Sequence, residues 1–322
     1  MIFVNLVFTN MQLSSEPQSS EEGLIKRPPM FEYINWLDVI RRAVGELLEF
    51  KEVAKRLERE SPNNKEVFRG FERDFFELMS ALASDNLGRT ITHNEDLPEV
   101  DSQKDKIIYI CNHPTLTTIW VWSCFMSQNF AYNTFAIGKD DIIKNPIIRY
   151  FLGDLMQRTG KGVFIPRGKG DREASSQIIR TLAKEALTEG SSGIIFPDAH
   201  RPYPSRIKKA QEKWSVRKPD LNIPEWLTET CFPHSGGLWD FGQAAETDVR
   251  FFDCTIVEPT VTHAFGGNLH FDVQEISRED LFGETPDLEY FQEKLIELWM
   301  RKNQMIREKR TLLTGFFSFM FL

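Results

Sequence analysis

Apolar positions recur along this chain in two rhythms. Between 31 and about 87 they fall at spacings of three and four: Trp36, Ile40, Val44, Leu47, Leu48 and Val53 in one set, then Val67, Phe71, Phe75, Leu78 and Leu82 in the next. Such spacing gathers each set on one helical face, and the two together predict a helical hairpin. From 107 onward the rhythm changes to short apolar runs, at 107–111, 135–137, 162–165, 193–196 and 251–257. Runs of that length suit strands. Helical patterns fall between them, near 117–130, 141–157, 172–189 and 237–246. The alternation predicts an α/β fold, with a central, mostly parallel or mixed sheet flanked by helices and preceded by the hairpin. The run 269–273 is a candidate edge strand, and 286–309 a last helix. Ahead of them, a Ser-rich stretch around Ser14, Ser15, Pro17, Ser19 and Ser20 reads as a leader of low complexity. The expected organisation is a flexible leader over 1–28, the hairpin over 29–95, an α/β domain over 96–285, and a C-terminal helix with an apolar tail over 286–322.

Composition narrows the class. With 41% hydrophobic and 27% charged residues among 322, the chain reads as soluble and globular, long enough for one large domain or two ordinary ones. A formal net charge of -8 argues against a nucleic-acid partner. Locally the balance reverses. Arg201, Arg206, Lys208, Lys209, Lys213, Arg217 and Lys218 stand against Glu212 alone, which suits a phosphate-bearing ligand, an anionic membrane surface or simply a solvated basic loop. Four cysteines without C-x-x-C spacing indicate neither a zinc site nor a disulfide framework, so a reducing cytoplasmic location fits. Residues 1–8 are apolar but lack the preceding positive charge and cleavage site of a signal peptide. At the other end, 311–322 is mostly apolar and follows the basic Arg307, Lys309 and Arg310. That tail is too short to span a bilayer as a helix but long enough to lie in its interface, or to fold back onto an apolar groove.

Three motifs carry candidate chemistry, each after an apolar run. The first is Asn112-His113-Pro114-Thr115-Leu116-Thr117-Thr118, the second Gly162-Val163-Phe164-Ile165-Pro166-Arg167, the third Phe196-Pro197-Asp198-Ala199-His200-Arg201. In open α/β sheets, ligand crevices form beyond the carboxyl ends of the strands. A histidine there can serve as a general base, and an arginine's planar fork can grip a phosphate. A capping histidine and surface arginines are the plainer readings of the same residues.

The order and wording of these motifs resemble the glycerophospholipid acyltransferase family, whose blocks read N-H-x4-D, G-x-x-F-I-x-R and F-P-E-G-T-R. The resemblance runs from about Lys106 to Pro259. Two departures stand out: Thr118 occupies the aspartate position, and Asp198-Ala199-His200 replaces Glu-Gly-Thr. The resemblance implies transfer of a fatty acyl group from acyl-CoA, or acyl carrier protein, to the hydroxyl of a lysophospholipid or related glycerophosphate ester, without a metal or other cofactor. It implies His113 as base supported by Thr118, with Asn112, Arg167, Asp198, His200 and Arg201 on the substrate side. A threonine hydroxyl can accept a hydrogen bond from the imidazole but adds no charge to stabilise an imidazolium. A degenerate, lipid-binding member of the family is therefore the first alternative, and an acyl-thioester hydrolase the second. The expected partners are acyl-CoA, a phospholipid or lysophospholipid, and a membrane touched peripherally through 311–322, on its inner face.

Overall fold

The structure, a computed structural model, describes residues 45, 52–53, 55–56, 59–60, 89–101, 104–113, 122, 125–126, 129–130, 134–139, 162–165, 172–188, 192–198, 200–245, 248–258 and 267–319. Of the expected hairpin, Gly45, Glu52, Val53, Lys55, Arg56, Arg59 and Glu60 are helical, while the second pattern, 67–82, lies outside the described residues. The chain divides into two units, Met1–Phe71 and Glu72–Leu322. The candidate chemistry belongs to the second.

Seven strands form one sheet: β1 (Arg89–His93), β2 (Lys106–Cys111), β3 (Thr134–Lys139), β4 (Gly162–Ile165), β5 (Ser192–Ile195), β6 (Val249–Val257) and β7 (Gly267–Ile276), in the order β1-β7-β6-β2-β5-β3-β4. Strands β2 to β6 run in one direction, β7 pairs antiparallel with β6, and β1 pairs parallel with β7. The fold is thus α/β with a mixed sheet. Two strands depart from the pattern-based expectation. β7 extends over ten residues and lies inside the sheet rather than at its edge. The edge belongs to β1, whose Arg-Thr-Ile-Thr-His sequence is too short to stand out as an apolar run.

The described helices are α1 (Arg172–Thr188), α2 (Pro204–Arg217), α3 (Ile223–Trp226), α4 (Ser235–Ala244), α5 (Arg278–Phe282) and α6 (Leu288–Phe319). Helix α6 runs through most of the apolar tail, so 311–319 continues the last helix.

Because side chains alternate across a strand, the central strand β2 feeds two cores, and Ile107 to Cys111 are all fully buried. On one face Ile108, Ile110 and Phe251 pack with Phe241 of α4 and Phe291 and Trp299 of α6. On the other, Tyr109 meets Phe252 edge-on at 5.7 Å, and Trp122 meets Phe271 at 5.0 Å. Each large apolar side chain buried this way contributes about 1.5–3 kcal/mol. Gly242 lets α4 press against the first core. A Cβ there would lie 2.1 Å from the Phe282 ring, which is itself stacked on Phe291 at 4.9 Å.

At the end of β6 and the start of β7, where Val257 pairs with His270, a titratable group is buried. The His270 Nδ1 lies 3.0 Å from the Thr92 hydroxyl, and burial, aided by the charges of Lys309 and His93, pushes its pKa down to about 4. The folded state therefore holds the neutral ring where the unfolded chain, near 6.5, takes a proton. Its stabilising contribution is present in full above pH 6.5 and is lost as the pH falls towards 4. The loss amounts to about 3 kcal/mol. Urea unfolding at pH 7 and pH 4.5 is expected to show a smaller acid destabilisation for His270→Gln than for the wild type. Equal acid losses in the two proteins would count against the buried neutral ring.

Candidate functional site

The first and third motifs meet where β2 and its neighbour β5 end. Ile110 pairs with Ile195 across the parallel ladder, so both chains leave the sheet side by side. Leaving β2, the chain passes through Asn112, which is 4% exposed. Its amide bonds the Ile256 backbone twice: Nδ2 donates to the Ile256 carbonyl at 2.9 Å, and Oδ1 accepts from the Ile256 N–H at 2.7 Å. The β2–β6 ladder stops at the Cys111–Cys254 pair, and Asn112 takes its place with a side chain that imitates a peptide group. In this structure Asn112 therefore ties two strand ends together.

His113 follows, half-buried. Its backbone N–H donates to Oδ2 of Asp198 at 3.0 Å, and its ring lies against Phe196 with centroids 5.1 Å apart. Asp198 itself is fully buried. Pro197 helps bring it there, since its carbonyl accepts the His234 N–H at 2.9 Å and fixes the turn after β5. Burial first, and then the Asp198 charge, push the neighbouring Cys231 thiol up to about 12, with Arg206 opposing. The thiol is thus held protonated beside a carboxylate. Asp198 acts here as the acceptor that joins two motifs 85 residues apart, the hydrogen-bonding role that its shorter side chain still allows.

His200 and Arg201 come next on the same turn, both half-buried. The Arg201 carbonyl accepts the Tyr203 N–H at 2.9 Å and the Cys231 thiol at 3.8 Å. Those bonds hold the turn. Helix α2 then begins at Pro204, whose missing N–H costs nothing at a first helical position. Thr118, Arg167 and Ala199 lie outside the described residues. β4, which precedes Arg167, ends at the same side of the sheet as β2 and β5, two strands beyond β5.

Sequence reasoning missed a second set of residues, beneath the site rather than in it. Lys302 of α6 is 1% exposed. Its Nζ donates to the carbonyls of Cys254 (2.8 Å) and Ile110 (3.3 Å) and to the Thr255 hydroxyl (3.3 Å), and it forms an ion pair with Asp253. The adjacent Asn303 accepts the N–H groups of Thr228, Glu229 and Thr230 and donates to the Thr230 hydroxyl and the Trp299 carbonyl. The C-terminal helix is thereby joined to the ends of β2 and β6. Among the described residues, no group of three or more His, Cys, Asp or Glu side chains is assembled for a metal ion.

A family model described as Acyltransferase matches residues 89–240. Among solved structures the chain is similar to the 1-acyl-sn-glycerophosphate acyltransferase PlsC from Thermotoga maritima, at 16% sequence identity over 84% of this chain and 98% of that one, with a TM-score of 0.45. No curated protein matches the sequence.

Proposed function

We propose, from the premise that this chain belongs to the acyltransferase family through its residues 89–240, that it moves a fatty acyl group from acyl-CoA or acyl carrier protein to the hydroxyl of a lysophospholipid or related glycerophosphate ester. One observation carries the reading: the Asp198 carboxylate accepts the His113 N–H at 3.0 Å, so the histidine and arginine motifs share one corner at the carboxyl ends of β2 and β5.

The chemistry follows from that corner. His113 takes the proton of the acceptor hydroxyl as its oxygen attacks the thioester carbonyl. The tetrahedral intermediate collapses with loss of the thiolate, and His113 returns the proton to that leaving sulfur. Thr118 occupies the sequence position of the supporting carboxylate, while Arg201, with Arg167 and His200, takes the phosphate of the acceptor. Backbone N–H groups near a helix start are the donors for the oxyanion. No metal or other cofactor enters this scheme. The reading includes a cytoplasmic location with peripheral contact on the inner face of a membrane through 311–322. Among the described residues, no helix is long and apolar enough to cross a bilayer.

The test is thiol release from long-chain acyl-CoA by the purified protein, with and without mixed lysophospholipids, with lipid products followed by mass spectrometry. Release that needs the acceptor and yields the diacyl lipid is the expected result. Release that persists without acceptor would make the protein a hydrolase. Silence with co-purified lipid would make it a lipid-binding member of the family.

A further inference from the structure

Helix α2 is the part of this unit that the proposed reaction leaves unexplained. It rests on the protein through Ile207, Ala210, Gln211 and Trp214, none of them buried. Trp214 stacks on Phe232 at 4.0 Å, and the Gln211 amide donates to the Leu227 carbonyl at 2.8 Å. Those contacts fix which flank faces out. Arg206, Lys209, Lys213 and Arg217 follow one another at spacings of three, four and four and are all exposed, so they form a single basic stripe along the helix. Glu212 is the helix's sole carboxylate. None of the four stripe residues forms an ion pair among the described residues. Lys213 and Arg217 lie over the Trp214 ring, at 5.3 and 5.4 Å from its centroid, which spreads them along the helix surface. Beside them Val216 is 84% exposed.

We infer that this stripe is an electrostatic docking face for an anionic lipid bilayer. The inference rests on the acyltransferase reading, since a lipid acceptor is what gives the protein reason to meet a membrane. The protein as a whole carries -8, so a bilayer of the same sign repels it except where local charge reverses. Counterion screening limits both effects to roughly 10 Å, and within that range the stripe decides the orientation. A single row of cations on a convex helix, with an apolar side chain beside it, matches a flat field of phosphates better than it matches a grooved partner. The helix starts three residues after Arg201, and its 14 residues extend about 21 Å at 1.5 Å each. The stripe therefore begins near the turn that carries Asp198 and Arg201 and ends about 20 Å along the helix from it, and a docked bilayer lies beside the entry for its own lipid.

The test is co-sedimentation of the full chain with vesicles of equal parts phosphatidylglycerol and phosphatidylcholine, and with phosphatidylcholine alone. The wild type is expected to prefer the anionic vesicles, and added salt to erase the preference. The triple variant Lys209→Gln, Lys213→Gln, Arg217→Gln is expected to lose on the order of 100-fold in that affinity. A control triple elsewhere, Lys104→Gln, Lys184→Gln, Arg301→Gln, removes the same charge from other exposed positions and is expected to lose less than about threefold. Equal losses in the two triples, or none in the stripe variant, would overturn the inference. A parallel assay uses short-chain acyl-CoA and a short-chain lysolipid, both monomeric in solution. The stripe variant is expected to turn these over like the wild type. Lost turnover in that assay would move the stripe into the substrate site and overturn the docking role. A wild type inactive in solution that still binds anionic vesicles through the stripe would sink the acyltransferase reading and leave the docking face standing.

Discussion

Replacing His113 by alanine is expected to lower kcat/KM for acyl transfer by a factor of about 10²–10⁴, with the protein still folded. The two halves of that expectation have separate physical origins. The bond that docks this residue on Asp198 leaves from the backbone N–H, which alanine keeps. What the substitution removes is the half-buried ring and its contact with Phe196, a pair worth about 0.5–1.5 kcal/mol beyond the area it covers. Stability should therefore move little. Turnover should not survive as well, because without the imidazole the acceptor hydroxyl must attack while still holding its proton. The measurement is thiol release by both proteins with lysophospholipid present, alongside urea midpoints. Equal rates at equal stability would remove His113 from the chemistry and return it to the role of a residue that caps the end of β2.

How much of this was legible in the sequence differs from residue to residue. That the His113 motif and the Phe196–Arg201 motif lie at one end of the sheet was legible, because each follows an apolar run and parallel strands end on the same side. The pairing of β2 with β5 was not, since a run of aliphatic residues does not specify its partner. Helix α2 reads from sequence as a solvated basic loop: its apolar flank is short and only half-buried, and what seats it is Trp214 on Phe232, a contact between positions 18 residues apart. The run 269–273 is a candidate edge strand in the sequence, whereas β7 lies inside the sheet. Gln274, Asp272 and His270 do alternate, but His270 and Asp272 are buried, and Lys309 and Lys302 of α6 supply the charge that faces Asp272. Lys302 itself was within reach. Leu295, Trp299 and Ile306 are buried at spacings of four and seven, and 302 falls in register between the last two. A lysine in an apolar stripe implies a buried acid across from it, though only the fold names Asp253.

That lysine carries the second large expectation. Lys302→Met should destabilise the protein by about 3–5 kcal/mol, because methionine fills the space while leaving the Asp253 charge without its partner. A surface ion pair would be worth far less, about 0–1 kcal/mol. What separates the two cases is that the Lys302 side chain is fully buried and Asp253 is 13% exposed. The double variant Lys302→Met, Asp253→Leu removes the orphaned charge and should recover about half of the loss. Full recovery is not expected, because the carbonyls of Ile110 and Cys254 still lack their donor, and unsatisfied buried acceptors cost about 1–3 kcal/mol. Those two carbonyls belong to the ends of β2 and β6, and Ile110 precedes His113 by three residues. Turnover per folded molecule should therefore fall in both variants, more in kcat than in KM, since the substrate contacts survive while the base loses its fixed position. Urea midpoints of the wild type, the single and the double variant decide the first part, and kcat at saturating acceptor decides the second. A double variant as unstable as the single one would assign the whole cost to the lost carbonyl bonds rather than to the buried charge. A single variant within 1 kcal/mol or so of the wild type would mean that water reaches Asp253, and that α6 does not hold the strand ends in the way the geometry indicates.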